Sequence, residues 1–120
     1  MIKTYSDNLA ILRARLLEHL FNDKHIERWM KFKSIKLYVL DEKCFAFVSF
    51  IKSKGKEWCI LEYIYTLPDF RRSGLGKDLI QHISKHNSNL ISLCYHKENP
   101  PFFKSCGFED NKQGEWIKCS

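Results

Sequence analysis

One stretch constrains the chain more than any other: the basic glycine turn Arg71-Arg72-Ser73-Gly74-Leu75-Gly76-Lys77. An apolar, β-branched and aromatic run, Ile60 to Leu67, leads into it. A helical pattern, Leu75, Leu79, Ile80 and Ile83, leads out. Strand, tight turn, helix is the local order that builds an anion site. Glycine lets the backbone approach a phosphate with no Cβ in the way. Successive N–H groups of the turn and of the first helical turn then point at the anion, helped by the helix dipole. Arg71, Arg72 and Lys77 add positive charge. A phosphorylated ligand is the expected occupant.

The other properties set bounds on that reading. A chain of 120 residues suffices for one domain, residues 1–120, with one packed core. The net charge of +6 suits an anionic partner, with solvated lysines as the plainer reading. No apolar run approaches bilayer-crossing length, and Met1 to Asp7 lacks a signal-peptide pattern, so a soluble cytoplasmic protein with no membrane partner is expected. The cysteines Cys44, Cys59, Cys94, Cys106 and Cys119 form an odd set without C-x-x-C spacing. Free thiols, packed as small hydrophobes, are expected rather than disulfides or a metal site. Lys31, Lys33, Lys36, Lys52, Lys54 and Lys56 cluster near strand ends without a nucleic-acid motif, so charged loop ends are the reading there.

Periodicity orders the rest. Ser6-Asp7-Asn8 offers cap residues before Leu9, Leu12, Leu16, Leu17 and Leu20, an i, i+3, i+7, i+8, i+11 stripe that predicts an amphipathic helix. Asn22-Asp23 predicts a cap for a second helix with Ile26, Trp29 and Met30 on one face. Strands are expected over Ile35–Leu40, Cys44–Ile51 and Glu57–Leu67, joined by short turns into an antiparallel meander. The helix after the glycine turn should run to about His86, followed by a strand from Leu90 to Tyr95 lying parallel to the third. Asn99-Pro100-Pro101 precedes a short segment, Phe102–Cys106. A hairpin from Phe108–Glu109 to Trp116–Cys119 closes the chain. The order ααβββαβ(α)ββ is an α+β layout.

Two motifs, in order and about thirty residues apart, resemble signatures of the GNAT N-acetyltransferase superfamily. The first is Arg71-x-x-Gly74-x-Gly76 after a strand ending Tyr65-Thr66-Leu67-Pro68-Asp69-Phe70; the second is Phe103-x-x-x-Gly107-Phe108. The resemblance covers roughly residues 35 to 118. It implies a GNAT-like fold, with a central, mostly antiparallel mixed sheet flanked by helices. It implies acetyl-CoA as cosubstrate and an amine as acceptor: a protein lysine or N-terminus, a small amine, or a nucleotide amino group. The pantetheine arm would pair with the backbone of Ile64, Tyr65 and Thr66. The pyrophosphate would sit on Arg72, Ser73, Gly74, Leu75, Gly76 and Lys77, mostly through backbone amides, with Arg71, Asn99 and Phe103 beside the cofactor.

Glu62 is the candidate general base. It is an acid within an apolar and aromatic strand, where desolvation raises its pKa. It shares parity with Ile64 and Thr66 if no bulge intervenes, and Tyr63 and Tyr65 then take the opposite face. Phe103 stands where the family commonly has a tyrosine able to protonate the leaving thiolate. Tyr95, ending the strand opposite Glu62 next to Cys94 and His96, is the substitute acid. The alternatives are a non-catalytic CoA-binding or inhibitor module and a nucleic-acid-binding domain. Monomer and homodimer are equally compatible with the sequence.

Overall fold

The computed structural model describes residues 1–17, 20–87, 90–93, 100–110 and 115–118. Among them, seven strands form one sheet in the order β1-β2-β3-β4-β5-β7-β6. The strands are β1 (Ile2–Ser6), β2 (Ile35–Leu40), β3 (Cys44–Ser53), β4 (Lys56–Thr66), β5 (Leu90–Leu93), β6 (Glu109–Asp110) and β7 (Glu115–Lys118). The helices are α1 (Asn8–Arg15), α2 (Asp23–Trp29), α3 (Leu75–His86) and α4 (Pro100–Ser105). All neighbours are antiparallel except β4 and β5, which the α3 crossover makes parallel, as expected. The α+β, GNAT-like layout of the sequence reading is the one observed.

The two faces of the sheet carry separate cores. One gathers Tyr38, Ala46, Val48 and Leu61 under Leu79, Ile80 and Ile83 of α3, with Cys106 and Phe108 following α4. The other gathers Leu37, Val39, Phe45 and Phe47 under Ala10, Ile11 and Ala14 of α1 and Ile26 and Trp29 of α2. Strand alternation explains the division. Even-numbered β3 residues from Cys44 to Val48 meet α3, and Phe45 and Phe47 meet α1 and α2.

Helix α3 has clear ends. Gly74 enters it at φ 84°, Asp78 lies in the first turn, and Lys85 and His86 lie in the last, each complementing the dipole. The Asn87 amide donates to the Ile83 carbonyl at 2.9 Å and to the Tyr38 hydroxyl at 3.0 Å, satisfying one orphan carbonyl. Helix α2 is capped as expected, the His25 N–H donating to Asn22 Oδ1 at 3.0 Å.

Three expectations at the N-terminal end need correcting. Ile2–Ser6 is a strand, pairing with Lys36–Leu40; it is an edge with few apolar residues, so its alternation is faint. Asp7 precedes α1 but does not cap it. Its carboxylate instead accepts the Ile35 N–H at 3.1 Å, tying the end of β1 to the start of β2. The buried face of α1 is Ala10, Ile11 and Ala14, and of the expected leucine stripe only Leu17, beyond the helix, is buried, with Leu20 packed against the same core. Leu9, Leu12 and Leu16 are 62%, 58% and 77% exposed. Ala10 and Ala14 are fully buried against the sheet, so α1 turns these two small residues and Ile11 inward and leaves those leucines outward.

No described helix is long and apolar enough to cross a membrane. Cys44, Cys59 and Cys106 are buried free thiols, and burial pushes Cys59 up to about 12. Cys94 and Cys119 lie outside the described residues. Two of the lysines singled out pack over rings of their own sheet, Lys36 over Phe50 and Lys56 over Trp58.

Candidate active site

The turn between β4 and α3 is a short 3₁₀ segment, Pro68–Phe70, followed by the basic glycine run. The Ser73 hydroxyl donates to the Phe70 carbonyl, and Arg72 and Gly74 both take positive φ, 66° and 84°. This winding leads directly into the first turn of α3. Among the described residues, none of the N–H groups of Arg72, Ser73, Gly74, Leu75, Gly76 and Lys77 donates to a backbone or side-chain acceptor. Such a row at a helix start suits a diphosphate, which accepts several N–H bonds and offsets the dipole. Arg71 plays a different part. Its Nε donates to the Thr66 carbonyl at 3.0 Å and its guanidinium lies over the Tyr65 ring, so it braces the turn against β4.

The two sequence motifs meet here. A Cβ on Gly76 would lie 3.0 Å from the Phe102 ring and 3.8 Å from Thr66 Oγ1. Glycine at 76 is thus what lets α4 seat Phe102 on the start of α3. Gly107, at φ 90°, ends α4 and turns the chain so that Phe108 reaches the core. Phe103 lies within α4. Tyr95 and Asn99, and with them His96, lie outside the described residues.

Strand β4 supplies the second part of the site. It pairs with β5 only through Cys59, Ile60 and Leu61. Beyond Leu61 its other edge stays bonded to β3 as far as Thr66, while the edge toward β5 has no strand partner among the described residues. Ile64, Tyr65 and Thr66 therefore present main-chain groups along an open edge that leads to the glycine turn. A pantetheine arm has the amides to use such an edge.

A β-bulge fixes where Glu62 points. Phe47 pairs with Tyr63 and Val48 with Leu61, leaving Glu62 as the extra residue. The condition attached to the parity argument thus fails. Glu62 and Tyr63 both face α2, whereas Ile64 and Thr66 face α3. Tyr65 returns to the α2 side and stacks with Tyr63, ring centroids 6.4 Å apart. The bulge puts the carboxylate on the α2 face of the strand, next to Tyr63.

Glu62 is only 8% exposed. Burial pushes its carboxyl above the ordinary carboxylate range, while Ser49 and Arg28 pull it down. Ser49 Oγ donates to Oε1 at 3.1 Å, and Arg28 Nη2 of α2 lies 3.7 Å from Oε2. His25, one turn before Arg28, stacks on Trp29 and tilts against Tyr63. Its Nδ1 is buried without a hydrogen-bond partner among the described residues. A proton acceptor beside an aromatic wall, near an open strand edge and an anion cup, can take a proton from an amine that attacks a bound acyl donor.

Ser49, Arg28 and His25 were not singled out from sequence. Ser49 left a trace, as the one polar residue inside the apolar run Cys44–Ile51. Arg28 and His25 left none, because helix spacing places them together without saying which strand they meet. Among the described residues, no group of three His, Cys, Asp or Glu side chains is placed to hold a metal ion.

A family model described as an acetyltransferase (GNAT) domain matches residues 33–110. GCN5-related N-acetyltransferase 3, chloroplastic, of Arabidopsis thaliana is 36% identical over 56 residues, 42% of this chain and 23% of that protein. The chain therefore spans well under two thirds of that relative. Arabidopsis thaliana NAA60, solved in complex with acetyl-CoA, superposes with a TM-score of 0.62 at 9% identity over the whole of both chains. The GNAT family N-acetyltransferase YhbS of Escherichia coli, solved with CoA, gives 0.63 at 13% identity, over 99% of this chain and 80% of that one. At these identities the two structures speak to the fold.

Proposed function

This chain belongs to the GNAT acetyltransferase family, and on that premise we propose that it transfers an acetyl group from acetyl-CoA to a primary amine. The observation that carries the reading is the row of N–H groups at residues 72 to 77, unbonded among the described residues and set at the end of the β4 edge that has no strand partner among them. Acetyl-CoA supplies a thioester carbonyl as acyl donor and a diphosphate as handle. The turn amides hold the diphosphate, with Arg72 and Lys77 adding charge. The edge of Ile64, Tyr65 and Thr66 holds the amide arm, and its N–H groups near Thr66 steady negative charge developing on the carbonyl oxygen.

Glu62 performs the proton chemistry. An acceptor amine arrives as an ammonium ion at neutral pH and must lose a proton to attack. A carboxylate whose affinity for protons is raised by burial is the better base for this, and the bulge faces it to the side walled by α2, Tyr63 and Tyr65. The acceptor is a primary amine, on a protein, a small molecule or a nucleotide, that fits beside this aromatic wall.

Free-thiol release from acetyl-CoA in the presence of an amine panel tests the proposal. Amine-dependent release is expected, with Glu62→Gln lowering kcat far more than the affinity for acetyl-CoA. Gly76→Trp should lose the thermal shift that acetyl-CoA gives the unmodified protein. Thiol release indifferent to every amine, or a Glu62→Gln enzyme of full kcat, overturns the assignment.

A further inference from the structure

The carboxylate of Glu62 is held asymmetrically. Oε1 receives the Ser49 hydroxyl at 3.1 Å, from a side chain 1% exposed and supplied by the neighbouring strand. Oε2 faces Arg28 at 3.7 Å, beyond hydrogen-bond length, and the Arg28 side chain is 55% exposed. One oxygen is thus pinned within the sheet, and the other is met by a cation whose side chain is half exposed. Among the described residues, Arg28 of α2 is the charged group facing Glu62. Tyr63 stands beside it on β4, and His25 of α2 meets Tyr63 rather than the carboxylate.

The bulge makes the pin necessary. An extra residue in β4 has no cross-strand partner to fix its rotamer. Ser49 lies opposite Ile60, two residues before Glu62 and on the same face, so its hydroxyl is the near group on β3 able to hold the carboxylate.

Resting on the reading of Glu62 as the base, we propose that Ser49 is its positioning residue: it fixes Oε1, so that Oε2 takes the proton from the acceptor ammonium as Arg28 swings aside. The step balances. The ammonium N–H bond breaks, an O–H bond forms on Oε2, and a neutral amine and a neutral carboxylic acid result. The displaced guanidinium keeps its charge and moves to water, where the acceptor's charge came from. A hydroxyl that donates to the ionised carboxylate also favours that form, so Ser49 keeps Glu62 deprotonated in a pH range where burial alone would protonate it.

The test is a titration of side-chain carboxyl ¹³C shifts in the whole protein, with Glu62 assigned by its loss in Glu62→Gln. Ser49→Ala should move the Glu62 midpoint up by about one pH unit, the scale of a lost hydrogen bond to a charged group. The acid limb of kcat/KM should move with it, giving about tenfold lower rates on that limb and unchanged rates above it. The equal-sized pair Ser49→Thr and Ser49→Val separates the hydroxyl from packing. Thr should keep the midpoint near that of the unmodified protein, and Val should shift it as Ala does. If the Thr and Val midpoints coincide while Glu62→Gln is inactive, the positioning role is wrong and the base assignment stands. Full activity in Glu62→Gln overturns both.

Discussion

The two faces of the sheet solve one packing problem in opposite ways. On the α3 face, the large apolar residues Leu79, Ile80 and Ile83 are fully buried, and Ser84 is the one polar residue of the helix buried with them. On the α1 face, two alanines and Ile11 do the burying, and three of the leucines are left in water. The first face carries the glycine turn proposed to hold the diphosphate. The second carries α2, whose Arg28 faces Glu62 and whose His25 meets Tyr63. The lesson is that hydrophobic size alone does not mark a helix's buried face: in α1 the small residues Ala10 and Ala14 are inside, in α3 the large ones are.

That contrast can be broken or sharpened by mutation. Leu79→Ala should be the most damaging, costing about 2–5 kcal/mol in chemical denaturation because it leaves a cavity under α3. Ala14→Leu comes next: forcing a large side chain under α1 should cost about 1–3 kcal/mol, although the change raises hydrophobicity and helix propensity. A stabilised Ala14→Leu protein would mean that α1 does not lie close to the sheet. Gly74→Ala should cost about 1–2 kcal/mol from the left-handed backbone alone, since a Cβ there meets no atom within 4 Å. Leu12→Ser and Leu16→Ser should change stability by less than about 0.5 kcal/mol, the size expected of exposed sites.

Glu62 gives a pH-dependent version of the same contrast. Its folded-state affinity for protons is raised by burial. Stability tied to that group is therefore fully present below the unfolded pKa and is lost as pH rises through the folded pKa. Glu62→Gln should accordingly gain thermal stability over the unmodified protein at pH 8, with the margin shrinking toward pH 4, while it loses turnover. Equal margins at the two pH values would show that the carboxylate is not strained by its site.

Much of the α3 side was legible from residues alone. A run of β-branched residues, two glycines in a basic turn and an i, i+4, i+5, i+8 pattern are local signals, and local physics decides them. Strands β2 to β4 were also readable, because turn residues such as Lys54-Gly55 punctuate them. What escaped was set by distant partners. Strand β1 exists because β2 offers it an edge; the face of α1 depends on which residues the sheet can receive; and the bulge at Glu62 is a mismatch between two strands that neither sequence displays. The direction of the Glu62 side chain followed from that mismatch, and so did Ser49 and Arg28 as its neighbours.

The central claim is that main-chain amides at the mouth of α3 hold the diphosphate of acetyl-CoA. A ¹⁵N–¹H correlation titration reads those amides one by one. The account predicts that the signals of Arg72 to Lys77 move earliest and furthest and saturate at one acetyl-CoA per chain. Signals at 72 to 77 that stay fixed while acetyl-CoA is added to saturation would contradict it.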